Sequence, residues 1–283
     1  MENVDAYRDL QYGSGSNRRQ MLDLYVPKDA RAPLPVIAWI HGGAWMQGDK
    51  SNCPALPFAA KGFAVASIGY RLSREAKFPA QINDCKAAIR YLRANAARYN
   101  IDPDRIGVWG SSAGGHLVAL LGTSGDVKEL QGDGPNGGVS SSVQAVADWF
   151  GPTDFLQMSK FPSNIRHDEA GSPESQLVGG PIQQNADKVA AANPISYVKK
   201  GGKYPPFLIM HGDKDPLVPL NQSELLRDAL KGVEADVTFI PVKGGGHGGW
   251  PASQNDIVLE FFTKVLVSRP ASSQPATATA PVK

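Results

Sequence analysis

Short apolar runs rich in β-branched and aromatic residues alternate with stretches of helical periodicity along most of the chain, and this alternation narrows the fold more than any other feature. Residues 21–26, 35–40, 63–68, 105–109, 143–150, 206–210 and 237–241 read as strands. Between them, 79–99, 113–122, 221–231 and 253–267 read as helices, the first opened by a proline at a tolerable first-turn position. Strands joined through helices must cross over, and crossovers build a mostly parallel sheet buried between helical layers, so the expected class is α/β. With 42% hydrophobic and 20% charged residues, the 283-residue chain holds ample material for such a core.

Two segments depart from the alternation. Residues 153–203 scatter Gly, Pro, Ser and Asn without a sustained period and are too long for an ordinary connection, which points to a cap-like insertion over one face. Residues 268–283 are Pro, Ala, Ser and Thr with almost no apolar bulk, so a disordered tail is expected there and one domain over 1–267.

The net charge of +2 comes from interspersed charges, with no basic run longer than pairs such as Arg18-Arg19, which argues against a nucleic-acid partner. No stretch approaches the ~18–20 apolar residues of a membrane span. The first residues, Met1-Glu2-Asn3-Val4-Asp5, are polar and acidic, unlike a secretory leader. Localisation stays open between export with a leader removed and the cytoplasm, and the oligomeric state is not legible. Cys53 and Cys85 are too few for a disulfide scaffold or a zinc cage and form no C-x-x-C pair. Cys85 falls on the stripe Ile82, Cys85, Ile89, Leu92 and reads as a small core residue.

Chemistry concentrates in three places, each just past an expected strand. Gly110-Ser111-Ser112-Ala113-Gly114 is a G-x-S-x-G between the strand at 105–109 and a helical run. A nucleophile on so tight a turn needs small neighbours, and the helix beginning there aims free N–H groups at developing negative charge. His41-Gly42-Gly43-Ala44-Trp45 follows the strand at 35–40, and its small residues let backbone amides face a cleft. Gly43, Ala44 and Ala113 are therefore the candidate oxyanion donors, and His41 reads as a residue that orients its loop. The third place pairs Met210-His211-Gly212-Asp213-Lys214-Asp215 with Gly244-Gly245-Gly246-His247-Gly248-Gly249.

A serine hydroxyl needs a neutral imidazole to take its proton, and that imidazole needs a carboxylate to fix its tautomer. Ser112, Asp215 and His247 fit those roles in that chain order. His116, His167 and His211 are the weaker candidates for the base, and Asp213 and Asp154 the alternatives for the acid. Trp45, Phe150, Leu217 and Trp250 fall beside these loops and are candidates for an apolar substrate pocket, or else cover the sheet edge. Arg71 and Asp84 suit a structural ion pair or a substrate contact. The histidines match no metal-ligand spacing and the glycines no phosphate-binding loop, so neither metal nor cofactor is expected.

These motifs resemble the α/β-hydrolases with an HGGxW oxyanion loop, in particular the feruloyl and acetylxylan esterase-like BD-FAE branch. The resemblance runs from about Leu22 to Leu266. It also rests on Tyr70-Arg71-Leu72-Ser73 with Phe78-Pro79-Ala80-Gln81, on 87–93, on Ser172-Pro173-Glu174-Ser175 with Gly179-Gly180-Pro181, and on Asp215 with Val218-Pro219. It implies a mostly parallel eight-stranded sheet with helices on both faces, and a catalytic domain over 1–267. It carries the triad onto Ser112, Asp215 and His247. The implied activity is a serine carboxylic ester hydrolase for short-chain or aromatic acyl groups, with acetyl and feruloyl esters of plant polysaccharide among the substrates. A serine aminopeptidase, an arylformamidase and a non-catalytic binding protein of the same fold are the alternatives.

Overall fold

Alternate side chains of the central strands enter different cores. In β3 (Leu34–Ile40), Val36, Ala38 and Ile40 join one hydrophobic cluster, and Ile37 and Trp39 join another. A period of two with both sets buried is the mark of a strand covered on both faces. The computed structural model describes residues 3–125 and 127–268, so the tail expected at 268–283 lies outside the described residues but for Ser268.

Around β3 stand β1 (Val4–Gln11), β2 (Met21–Pro27), β4 (Ala64–Ile68), β5 (Ile101–Ser111), β6 (Ala145–Trp149), β7 (Phe207–Gly212) and β8 (Val237–Val242). The sheet order is β1-β2-β4-β3-β5-β6-β7-β8. The β1–β2 and β2–β4 pairs are antiparallel and the remaining five are parallel. The helices are α1 (Ala80–Ala94), α2 (Ala113–Thr123), α3 (Phe155–Met158), α4 (Pro173–Val178), α5 (Ala186–Ala192), α6 (Asn221–Lys231) and α7 (Ser253–Phe262). Ile89 of α1, Leu117 of α2 and Leu226 of α6 cover one face of the sheet, and Phe58 with Val258 and Phe262 of α7 covers the other.

Among the differences from the sequence reading, three change the outline of the sheet and its first helix. β1 was not expected: it is an edge strand, mostly exposed, and its register shifts between Tyr7 and Leu10, where Asp9 takes φ 54°. The helix expected over 79–99 ends at Ala94, and Ala97–Tyr99 forms a separate tight turn. β5 starts four residues before the expected 105, because Ile101 already pairs with Leu34.

The segment expected as an insertion holds α3, α4 and α5. Ser172 caps α4 by accepting from the Ser175 N–H, with Pro173 in the first turn. Phe155, Leu177, Ile182 and Val189 pack into the same cluster as α2, so the insertion is seated on the core.

Candidate active site

Parallel pairing brings the strand ends together: Ile40 of β3 lies beside Gly110 of β5, and Ser111 beside Trp149 of β6. The loops after these strands and after β7 and β8 therefore meet at one edge, where open sheets gather their sites. Ser112 sits on the turn between β5 and α2 at φ 55° and ψ −121°, a conformation L-residues rarely hold. The turn closes only because its flanks lack side chains. A Cβ at Gly110 would run into the Gly114 carbonyl, and one at Gly114 into the Ile40 carbonyl oxygen. The Ser112 N–H donates to Trp149 O at 2.8 Å, which ties the turn to the end of β6.

A chain of hydrogen bonds leads away from the serine. Ser112 Oγ is 3.0 Å from His247 Nε2, and His247 Nδ1 is 2.7 Å from Asp215 Oδ2. Asp215 Oδ1 accepts from the N–H groups of Leu217 (2.8 Å) and Val218 (3.0 Å). Burial opposes ionisation of Asp215, but hydrogen bonds from His211 and His247 outweigh it and hold the carboxyl well below the usual carboxylate range. Facing a carboxylate, His247 Nδ1 carries the ring hydrogen, and Nε2 is left to accept from the serine hydroxyl. The Phe150 ring lies 4.6 Å from the His247 ring and braces it.

The two other candidate acids are engaged elsewhere. Asp213 accepts from the Gly244 N–H at 2.7 Å, and Asp154 caps α3 through the Leu156 N–H. His211 has a part that its sequence position did not suggest: its Nε2 lies 3.3 Å from Asp215 Oδ2, while its Nδ1 is 2.7 Å from Ser223 Oγ. The loop after β7 folds back so that residues four apart meet, and only the structure shows that fold-back.

Gly43, Ala44 and Trp45 hold consecutive positive φ angles of 105°, 54° and 56°. A run of left-handed residues turns successive amides toward one concavity, a geometry suited to an anion. The N–H groups of Gly43, Ala44 and Ala113 donate to no acceptor among the described residues, and all three residues border the same cavity as Ser112. His41 is buried and stacks on Tyr70 at 4.3 Å, and its Nδ1 lies 2.8 Å from Gly42 O.

The cavity measures about 520 Å³, with Trp39, Trp149 and Phe150 on an aromatic wall and Ile165, His167 and Glu174 of the insertion on another; Leu217 also borders it. Two of the residues expected to form the pocket stand differently. Trp45 borders the cavity but is 1% exposed, its ring packed on His116 and Phe155 beneath the loop. Trp250 is not part of the lining: it packs on Trp149 and Phe150, and its Nε1 donates to Gly246 O at 3.1 Å. Trp39 and Trp149 take the aromatic positions, and both had read as plain strand residues. Arg71 and Asp84 form an ion pair at 2.7 Å away from this cavity.

Buried groups around the site set a pH response. Burial lowers His41 and His116 to about 4, and burial raises Asp148 to about 6. Between the ordinary histidine value of about 6.5 and about 4, the unfolded chain binds two protons that the folded chain refuses, so stability falls as pH falls. Asp148 acts oppositely, since the folded chain takes up its proton first. Two losses against one gain leave a net loss of about 3 kcal/mol between about pH 7 and pH 4.5. His116→Gln keeps a donor for the Ala192 carbonyl, which His116 Nε2 meets at 2.7 Å, and removes one of the two losses. Urea unfolding at both pH values is expected to show the acid loss cut by more than half in the variant; an unchanged loss would refute the assignment.

Solved structures share this architecture. A truncated form of a carbohydrate esterase from gut microbiota aligns with a TM-score of 0.85 at 39% identity, covering 92% of this chain and 95% of that one. A bifunctional GH43-CE protein of Bacteroides eggerthii aligns with a TM-score of 0.85 at 36% identity, covering 92% of this chain and 35% of that one. Esterase LipC of Mycobacterium tuberculosis is 33% identical over 239 residues, 83% of this chain. The chain spans 58% of LipC. The eight-stranded sheet is thus that of the α/β-hydrolase fold. The BD-FAE family model matches residues 22–230, which include both Ser112 and Asp215, and the chain belongs to the BD-FAE family.

Proposed function

We propose that the protein is a serine carboxylic ester hydrolase that works through an acyl-enzyme on short-chain or aromatic acyl esters of carbohydrate. The observation that carries this reading is the chain of hydrogen bonds from Ser112 through His247 to Asp215 beside three unused N–H donors. Ser112 Oγ attacks the ester carbonyl carbon as His247 Nε2 takes its proton, and Asp215 stabilises the imidazolium. The carbonyl oxygen becomes an oxyanion held by the N–H groups of Gly43, Ala44 and Ala113, each donor contributing about 10²–10³ in kcat. Collapse expels the alcohol, which receives the proton from His247. Water then attacks the acyl-enzyme with His247 as base and releases the acid.

Support for the alcohol comes from the structural relative named as a carbohydrate esterase. Support for an aromatic acyl group comes from Trp39, Trp149 and Phe150, since ring stacking contributes about 0.5–1.5 kcal/mol beyond burial. Comparison of kcat/KM for methyl ferulate, acetylated xylan and p-nitrophenyl esters of rising chain length tests the reading. The expected result is turnover of ferulate or acetylxylan, with short p-nitrophenyl esters preferred over long ones. A steep preference for butyrate or longer, with neither ferulate nor acetylxylan cleaved, would leave a plain carboxylesterase.

A further inference from the structure

The insertion brings a second cluster of titratable side chains to the same cavity. Glu174, on α4, is 3% exposed and borders the cavity together with His167. Its Oε1 lies 3.1 Å from His167 Nδ1, and its Oε2 has no hydrogen-bond partner among the described residues. His167 is held from its other side: Nε2 lies 3.1 Å from both Ser163 Oγ and Leu217 O. The Ser163 hydroxyl already donates to Leu217 O at 2.8 Å, so both oxygens face Nε2 as acceptors, and Nε2 carries a hydrogen. The imidazole is thereby fixed against the loop that carries Asp215; its Nδ1 makes no hydrogen bond among the described residues and only approaches Glu174 Oε1.

Oε2 is thus an unpaired carboxyl oxygen on a residue that borders the cavity, and leaving a buried acceptor unpaired is costly. Such an oxygen persists where a ligand completes it. We propose that Glu174 is a specificity-determining residue that accepts a hydrogen bond from a free hydroxyl on the alcohol part of the substrate, so that the cavity selects acyl esters of polyols and sugars over esters of apolar alcohols. This deepens the proposed ester hydrolysis and rests on it. The substrate hydroxyl supplies the donor that Oε2 lacks, and an alcohol without one leaves Oε2 buried and unpaired. A hydrogen bond to a charged group is worth about 1.5–3 kcal/mol, or roughly 10–150-fold.

The test compares a monoacetate of methyl xyloside with the same ester whose free hydroxyls are O-methylated. Wild-type protein is expected to favour the hydroxyl-bearing ester by at least about tenfold in kcat/KM. Glu174→Leu is expected to bring that ratio close to one, and Glu174→Gln, which keeps the shape and one acceptor oxygen, to an intermediate value. If Glu174→Leu does not fold, Glu174→Gln and the wild-type ratio carry the test. Wild-type turnover of both esters at equal rates overturns the proposal, as does a ratio unchanged in variants that still react with a fluorophosphonate. A brace for the insertion alone would lower stability in the variants and leave the ratio where it was, which also overturns it. Failure of wild-type protein to cleave either ester while it turns over p-nitrophenyl acetate would instead strike the carbohydrate-ester reading on which the proposal rests.

Discussion

Ser112→Ala is expected to lower kcat on p-nitrophenyl acetate by about 10⁶-fold and to abolish fluorophosphonate labelling. The serine oxygen forms the bond on which the proposed acyl-enzyme depends, and nothing else on the turn replaces it. Ser111 precedes it on β5, but Ser112 is the residue whose Oγ reaches His247 at 3.0 Å. The donors of the 43–44 loop and of Ala113 stay in place, so a residual rate above that of water remains, about 10³–10⁴-fold in comparable hydrolases. Hydrolysis at the wild-type rate by the purified variant would remove Ser112 from the reaction.

Asp215→Asn is expected to cost about 10⁴ in kcat, and the surroundings of the carboxylate say why. Oδ1 accepts from two backbone N–H groups, so the amide oxygen of an asparagine is drawn to that position. The amide nitrogen then replaces Oδ2 and faces His247 Nδ1 and His211 Nε2. Donor meets donor at Nδ1, the ring hydrogen shifts to Nε2, and the imidazole can no longer accept from Ser112. Steady-state kinetics with Asp154→Asn and Asp213→Asn as companions decide the matter: both of these carboxylates serve local caps and turns, so a silent Asp154→Asn enzyme beside an active Asp215→Asn would transfer the acid to the loop after β6.

The parts of this site that were legible before the structure share one property: each follows a strand, and each announces itself locally. Glycines at 110 and 114 mark a turn with no room, and the order of Ser112, Asp215 and His247 along the chain follows from the loops they occupy. β1 escaped notice because an edge strand with one face in solvent carries little apolar alternation. Trp39 and Trp149 fell inside runs read as strands, and nothing in a strand's sequence tells which residue near its end lines a cavity. Trp45 and Trp250 were placed in the pocket by nearness in sequence, and the rings turn instead to His116 and Phe155 and to Trp149 and Phe150. The contacts of His211 with Asp215 and of His167 with Glu174 depend on how irregular loops fold back, which no periodicity encodes.

The insertion joins the Asp215 loop through main-chain carbonyls: Asn164 N–H to Pro216 O at 2.7 Å, and Ser163 Oγ and His167 Nε2 to Leu217 O. Carbonyls are there whatever side chains the acid loop carries. This part of the insertion's seat is therefore independent of the acid loop's side chains, while Phe155, Leu177, Ile182 and Val189 hold the rest of it on the core. The acid loop can thus change its side chains without loosening this docking, provided its backbone path is kept.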